Sequence, residues 1–278
     1  MDLSIYQPYF NSVPDQLDEV QYSRLLRYFQ LLDKVEKPVV SLVTPVFQAE
    51  ETLLAHIVAL SHLKTIIPYE LIFVENNANA ETLGILNQLG AKVVSQPLQG
   101  ITHARQKGME VARGEIVCSL DPDSLYDPYY IDRMALPFFE DEKLVMCYSV
   151  SKSYESDFRL SQKMKLRNWL KVQVFKRRLS RGFEERIKYI RAVCIAFKRE
   201  SFVDIGYAVD LPLVAGCDDG MLAMHLHRKG VFKYVKVDVY TALPPPREPG
   251  KPFPFCNERF LKKNSILQEA YEALKVND

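Results

Sequence analysis

Asp121 and Asp123 stand one residue apart with Pro122 between them, directly after the largely apolar run 115–120. The proline fixes the local backbone, so a turn here holds two carboxylates close together. Left alone they repel, and one of them resists ionisation. A divalent cation removes that conflict. Two hard carboxylate ligands completed by phosphate oxygens suit Mg²⁺ or Mn²⁺. A bare Asp-Pro-Asp is also an ordinary solvated turn, so its surroundings decide between the readings. A second acidic pair, Asp218-Asp219, precedes the apolar run Met221-Leu222-Ala223-Met224, and that segment ends at Gly230. An acid at a helix start caps backbone N–H groups or, if aimed into a cleft, takes a proton from a hydroxyl. Arg105 adds a planar fork of donors of the kind that suits phosphate.

These side chains need elements to position them, and the chain supplies an alternating series. Apolar spacing predicts a helix over 15–36, after an irregular lead-in over 1–14, and Lys37-Pro38 stops it. Strands are expected at 39–44, 70–75, 91–95 and 115–120, with helices at 51–63, 80–89 and 102–112 between them. Single helices between strands imply right-handed crossovers and a mostly parallel sheet, the α/β class. Ligands in such sheets bind beyond the carboxyl ends of the strands. Three polar segments fall there: 45–50, 75–79 and 121–123. Farther on, 191–197 reads as a strand and 218–229 as a helix. A Pro-rich loop follows from Pro244 to Pro254, then a closing helix over 257–274.

Composition narrows the class. The chain has 278 residues, 47% hydrophobic and 26% charged, enough for a sizeable core. A formal net charge of +1 provides no global field toward nucleic acid or membrane. The cysteines Cys118, Cys147, Cys194, Cys217 and Cys256 form no C-x-x-C pair, which fits a reducing compartment. The start of the chain lacks a signal-peptide pattern, and its apolar runs are too short to span a bilayer. A cytoplasmic protein, peripheral at the inner face of the membrane if it meets one, is the expectation. Residues 44–50 contain no glycine. That argues against a sugar nucleotidyltransferase and against a dinucleotide dehydrogenase, which needs G-x-G-x-x-G after its first strand.

Four segments in order resemble the inverting family 2 glycosyltransferases of GT-A fold, across roughly residues 39–240. Pro45-Val46-Phe47-Gln48-Ala49-Glu50-Glu51-Thr52-Leu53 matches the family's opening P-x-Y-N-x-E-x-x-L. Val74-Glu75-Asn76-Asn77-Ala78 stands where the family has V-D-D-G-S. Gly100 through Gly108, with Ala104-Arg105, and then Ala112-Arg113-Gly114-Glu115 match the segment that leads into the metal-binding strand. Asp121-Pro122-Asp123 is the D-x-D. The resemblance implies three parts: a helical lead-in over 1–38, a GT-A domain over 39–240 and a C-terminal loop and helix over 241–278. Within the domain it implies a donor half (39–125) and an acceptor half (126–240).

The roles it implies follow residue by residue. Pro45 shapes the turn and Phe47 lies against the nucleotide base, which its π-face can stack on. Glu50 is a candidate for base or ribose hydroxyls; as a plain alternative it is a helix N-terminal acid. Asn76 departs from the family's aspartate. An amide both donates and accepts, matching the pairing edge of uracil or thymine, so a UDP or dTDP donor is favoured, UDP first. Glu75 offers a carboxylate for guanine instead. Arg105 approaches the diphosphate, Asp123 binds Mn²⁺ or Mg²⁺, and Asp121 takes ribose or sugar hydroxyls or shares the metal. Asp219 is the expected general base, with Asp218 holding the loop. The implied reaction is transfer from a nucleotide-diphosphate sugar to a hydroxyl on a saccharide or lipid-linked acceptor, with inversion. The rival from another class is a catalytically decayed nucleotide-sugar-binding or membrane scaffold, which Asn76 and Gln48 favour and the retained acids oppose.

One feature lies outside that scheme. Between Arg159 and Arg191 stand twelve Lys and Arg against two Glu, with Met164, Leu166, Trp169, Leu170, Val174, Phe175 and Leu179 interleaved. Such a stretch, over 158–191, lies on anionic lipid, binds a phosphorylated lipid acceptor, or is a solvated helix face. No nucleic-acid recognition motif accompanies the charge.

Overall fold

The computed structural model describes residues 1–180, 182, 186–187, 189–203, 206 and 218–243, and of Asp218 and Met221 the backbone alone. The Gly216-Cys217 pair, the expected loop from Pro244 to Pro254 and the expected helix over 257–274 lie outside the described residues.

Strand β1 (Val40–Val46) is buried along its whole length. A continuous apolar run of this kind belongs in the middle of a parallel sheet covered on both faces. It pairs in parallel with β2 (Tyr69–Glu75) on one side and with β4 (Ile116–Ser119) on the other. Strand β3 (Val93–Ser95) pairs in parallel outside β2. Beyond β4 come β8 (Ile195–Lys198), antiparallel, then β6 (Leu144–Tyr148) and β9 (Val231–Tyr234). Among the described residues the order is β3-β2-β1-β4-β8-β6-β9. A smaller sheet, β5-β10-β7, joins Ser124–Tyr126 to Val239–Ala242 and Lys152–Tyr154.

The helices that carry or cover the sheet are α1 (Glu19–Leu32), α2 (Glu50–Ser61), α3 (Ala80–Gln88), α4 (Ile101–Val111), α5 (Tyr130–Glu140), α6 (Gln162–Arg178), α7 (Arg199–Val203) and α8 (Asp218–His227). Two glycines let these layers close. A Cβ on Gly114 would meet the Ser41 backbone nitrogen at 2.6 Å, and one on Gly108 would run into Val43 of β1. Both belong to the glycine-spaced segment that leads into β4, and each admits a close approach to β1 that no larger residue allows.

Three expectations about elements are corrected. The lead-in is not irregular: Ser4–Tyr9 forms a 3₁₀ helix, and Leu3 and Tyr6 are buried in the main core. The first helix is shorter than 15–36 because Asp18 caps it, in a capping box with Gln21. Within it Leu25 and Phe29 are buried while Val20 is exposed. The strand expected over 191–197 begins only at Ile195, since Ala192–Cys194 takes one 3₁₀ turn first.

Candidate active site

The carboxyl ends of β1, β2 and β4 open on one cavity of about 510 Å³. Its wall includes Pro45, Phe47, Asn76, Arg105, Asp121 and Asp123. Phe47 is 41% exposed there, so its ring is available to a flat ligand rather than used in packing.

The Asp121-Pro122-Asp123 turn is held from every side. Thr52 Oγ1 of α2 donates to the Pro122 carbonyl at 3.1 Å. Tyr154 Oη of β7 donates to the Asp123 carbonyl. The Asp121 N–H donates to Tyr126 Oη at 3.1 Å. The Asp123 carboxylate accepts from Ser124 Oγ at 3.0 Å and from Thr241 Oγ1 of β10 at 3.2 Å. His56, buried between β1 and the turn, approaches the Ser124 carbonyl through Nδ1 at 2.8 Å. A carbonyl only accepts, so Nδ1 carries the proton. Nε2 then accepts from Thr44 Oγ1 at 3.2 Å. The turn is therefore tied to α2, β7 and β10 at once.

Electrostatics give the turn its chemical character. Burial, reinforced by the neighbouring Asp121 charge, pushes the Asp123 carboxyl up to about 6 despite its two hydroxyl donors. A cation between the two acids would relieve that strain. Among the described residues no three His, Cys, Asp or Glu gather into a complete metal cage. Two carboxylates with room for phosphate oxygens nevertheless fit the way Mg²⁺ is usually bound, through one or two acids plus substrate phosphates.

Arg105 joins the two acidic motifs. Its Nη2 donates to Asp121 Oδ1 at 2.9 Å and its Nη1 to Asp219 Oδ1 at 3.1 Å. Both Arg105 and Asp219 are buried. Asp219 is the second residue of α8, so a helix from the second half of the chain brings its acid to the edge of the cavity. Thus Arg105, Asp121, Asp123 and Asp219 are brought together. Of Asp218, only its position at the first residue of α8 is described.

Other candidates end elsewhere. Glu50 is not in the cavity wall; its carboxylate accepts from Thr82 Oγ1 at 3.1 Å, tying α2 to α3. Glu75 is outside it too, with Ser95 Oγ donating to its carboxylate. Asn76 lines the cavity, and its amide is bonded to the backbone of a neighbouring loop. Nδ2 donates to the carbonyls of Gln96 and Leu98, both at 2.7 Å, and Oδ1 accepts from the Gly100 N–H at 2.6 Å. Both amide hydrogens are committed to the protein's own backbone, so the donating half of the expected match to a uracil edge is already in use. Asn76 instead fixes the loop 96–100 that forms one lip of the cavity. An aspartate could not donate to those two carbonyls, which is a physical reason for the amide at this position.

The supporting groups Thr52, His56, Tyr126, Tyr154 and Thr241 were not foreseen. Thr52 and His56 stand four apart on α2, which puts them on one helix face; that spacing was a usable signal. Tyr154 and Thr241 arrive from strands far along the chain, and no local pattern marks them.

His56 carries a pH prediction. Burial holds its imidazole down to about 4 from the ordinary 6.5. Between these values the unfolded chain binds a proton that the native state refuses, so native stability falls as pH drops from 6.5 to 4. Its contribution to that fall is on the order of 3 kcal/mol. In denaturant titrations, the stability gap between the parent and His56→Gln should shrink by that amount from pH 7 to pH 4. A gap that stays constant would show that the native imidazole is not kept neutral.

Comparison with known proteins bears on the family and the fold. The model of glycosyl transferase family 2 matches residues 41–206. EpsH of Bacillus subtilis (strain 168), a protein assigned as a glycosyltransferase, is 29% identical over 118 residues, 41% of this chain and 34% of EpsH. Among solved structures, TarS residues 1–349 of S. aureus in complex with UDP superposes with a TM-score of 0.55 at 16% identity, over 73% of this chain and 60% of that one. The same protein with UDP-GlcNAc gives 0.56 at 17% identity, over 80% and 63%. GalNAc-T7 with UDP, GalNAc and Mn²⁺ gives 0.54 at 16% identity, over 75% and 44%. The chain therefore spans about a third of EpsH and under two thirds of the TarS chains, and the structural likeness establishes the GT-A fold.

Proposed function

The chain belongs to glycosyl transferase family 2, and from that membership we propose that it transfers a sugar from a nucleotide diphosphate, UDP favoured, to an acceptor hydroxyl with inversion. The observation that carries the reading is the link Asp121–Arg105–Asp219 at the cavity edge. It couples a phosphate-binding group and a metal-binding turn from residues 39–125 to an acid from residues 126–240, the proposed donor and acceptor halves. The UDP complexes of TarS and GalNAc-T7 favour UDP as the carrier.

On this reading the base of the donor stacks on Phe47 beside Pro45, and its diphosphate meets Arg105. Asp123, with Asp121, holds Mn²⁺ or Mg²⁺, which when bound supplies positive charge against the leaving diphosphate. Asp219 takes the proton from the acceptor hydroxyl. The hydroxyl oxygen bonds to the anomeric carbon as that carbon's bond to the β-phosphate oxygen breaks, so a single displacement inverts the centre. Arg105 orients both acids beforehand, and its fork is shared with the diphosphate once the donor enters. The acceptor is a saccharide or a lipid-linked saccharide.

A melting-temperature panel of UDP, GDP, dTDP and CDP with Mn²⁺ tests the donor assignment. A ligand that binds only the native state at 100 times its dissociation constant stabilises by about 2.7 kcal/mol. UDP should raise the melting temperature most. A larger rise with GDP would move the donor to a guanosine diphosphate sugar.

A further inference from the structure

Helix α6 presents to solvent what most helices bury. Its inward face is anchored. Met164 and Phe175 are buried, Asn168 exchanges hydrogen bonds with the backbone of Ser153, and Lys171 Nζ donates to the Ser151 carbonyl at 2.6 Å. The outward face carries Leu166 and Trp169, each 58% exposed, then Leu170 at 48% and Val174. Their spacing of three, four and eight residues lines them up as one stripe along the helix. Exposed cations flank it: Lys165 and Lys176 on one side, Lys163 and Arg167 on the other. The helix contains no acid.

We propose that α6 is a membrane-docking element that lies in the headgroup region of an anionic bilayer, with Leu166, Trp169 and Leu170 inserted and the flanking lysines and arginines on lipid phosphates. An apolar stripe edged by cations on a rigidly held helix is the pattern of an interfacial helix. Anionic headgroups complement its uniform positive charge, each cation near the surface adding to the attraction. A cover from the chain's own residues 244–278 lacks that complementarity, since they hold six Lys and Arg against five Asp and Glu. Among the described residues no helix is long and apolar enough to cross a membrane, so this contact lies along the surface. Asn168 holds β7 through Ser153, and the next residue of β7, Tyr154, holds the Asp123 turn. Docking would thus keep the cleft at a fixed attitude to the lipid surface. The inference stands apart from the transfer chemistry.

Trp169 is the single tryptophan of the chain, so its emission reports the contact directly. On adding vesicles of phosphatidylcholine with phosphatidylglycerol, its emission should shift to the blue, and added salt should weaken the binding. Phosphatidylcholine vesicles alone should leave it nearly unchanged. Lys165→Glu with Lys176→Glu should lower partitioning, measured by co-sedimentation, by about tenfold or more. Leu170→Glu should abolish the shift while circular dichroism and UDP-induced stabilisation stay at parent levels. No shift with either vesicle, or equal shifts with both, would overturn the proposal. So would a shift that grows with protein concentration in the absence of lipid, which would assign the stripe to a second copy of the chain.

Discussion

Asp219→Asn should lower sugar transfer by a factor on the order of 10²–10⁴, the usual contribution of a positioned acid–base group, while donor binding survives. The substitution keeps size and shape, and the amide oxygen can still accept the bond that Arg105 now donates to Oδ1 at 3.1 Å. The arrangement at the cavity edge is therefore retained and only the capacity to take a proton is lost. Asp218→Asn should reduce transfer less, since its assigned role is in holding the loop. Rates are measured with a saturating UDP-sugar and a hydroxyl acceptor, and the anomeric configuration of the product is read by NMR. Transfer at the parent rate by Asp219→Asn, or a product that keeps the donor's configuration, would remove Asp219 from the role of base.

The parallel half of the fold was legible because its signals are local. Strands β1, β2 and β4 are apolar runs, and proline and glycine mark the boundaries of the elements between them. The order of the polar strand ends followed from the topology of such sheets. What the side chains at those ends touch did not follow. Glu50 and Asn76 both sit at strand or helix ends where a ligand group was expected. Thr82 bonds the first, and the loop 96–100 bonds the second, through partners twenty to thirty-two residues away. Whether a polar side chain faces a ligand or a neighbouring loop is a tertiary matter that spacing does not encode. The same holds for Leu3 and Tyr6, whose short segment carries no amphipathic period yet closes the core against α2. The link from Arg105 to Asp219 spans 114 positions. The two acid motifs were visible separately, but their connection through one guanidinium was not.

The central claim is a metal-dependent nucleotide-sugar site built on Asp123, and release of nucleoside diphosphate from UDP-sugars tests it most directly. The parent protein with Mn²⁺ should release UDP, and EDTA should abolish the release. Asp123→Asn should release none, with its UDP affinity in Mn²⁺ falling to the parent's value in EDTA. This variant should fold. Its buried carboxyl is pushed up to about 6, chiefly by desolvation, so near pH 7.5 it is ionised in the metal-free native state at a cost in stability that the unfolded chain does not bear. A neutral amide that still accepts from Ser124 and Thr241 should therefore melt no lower than the metal-free parent. UDP release that persists at full rate in EDTA, or in Asp123→Asn, would contradict the account.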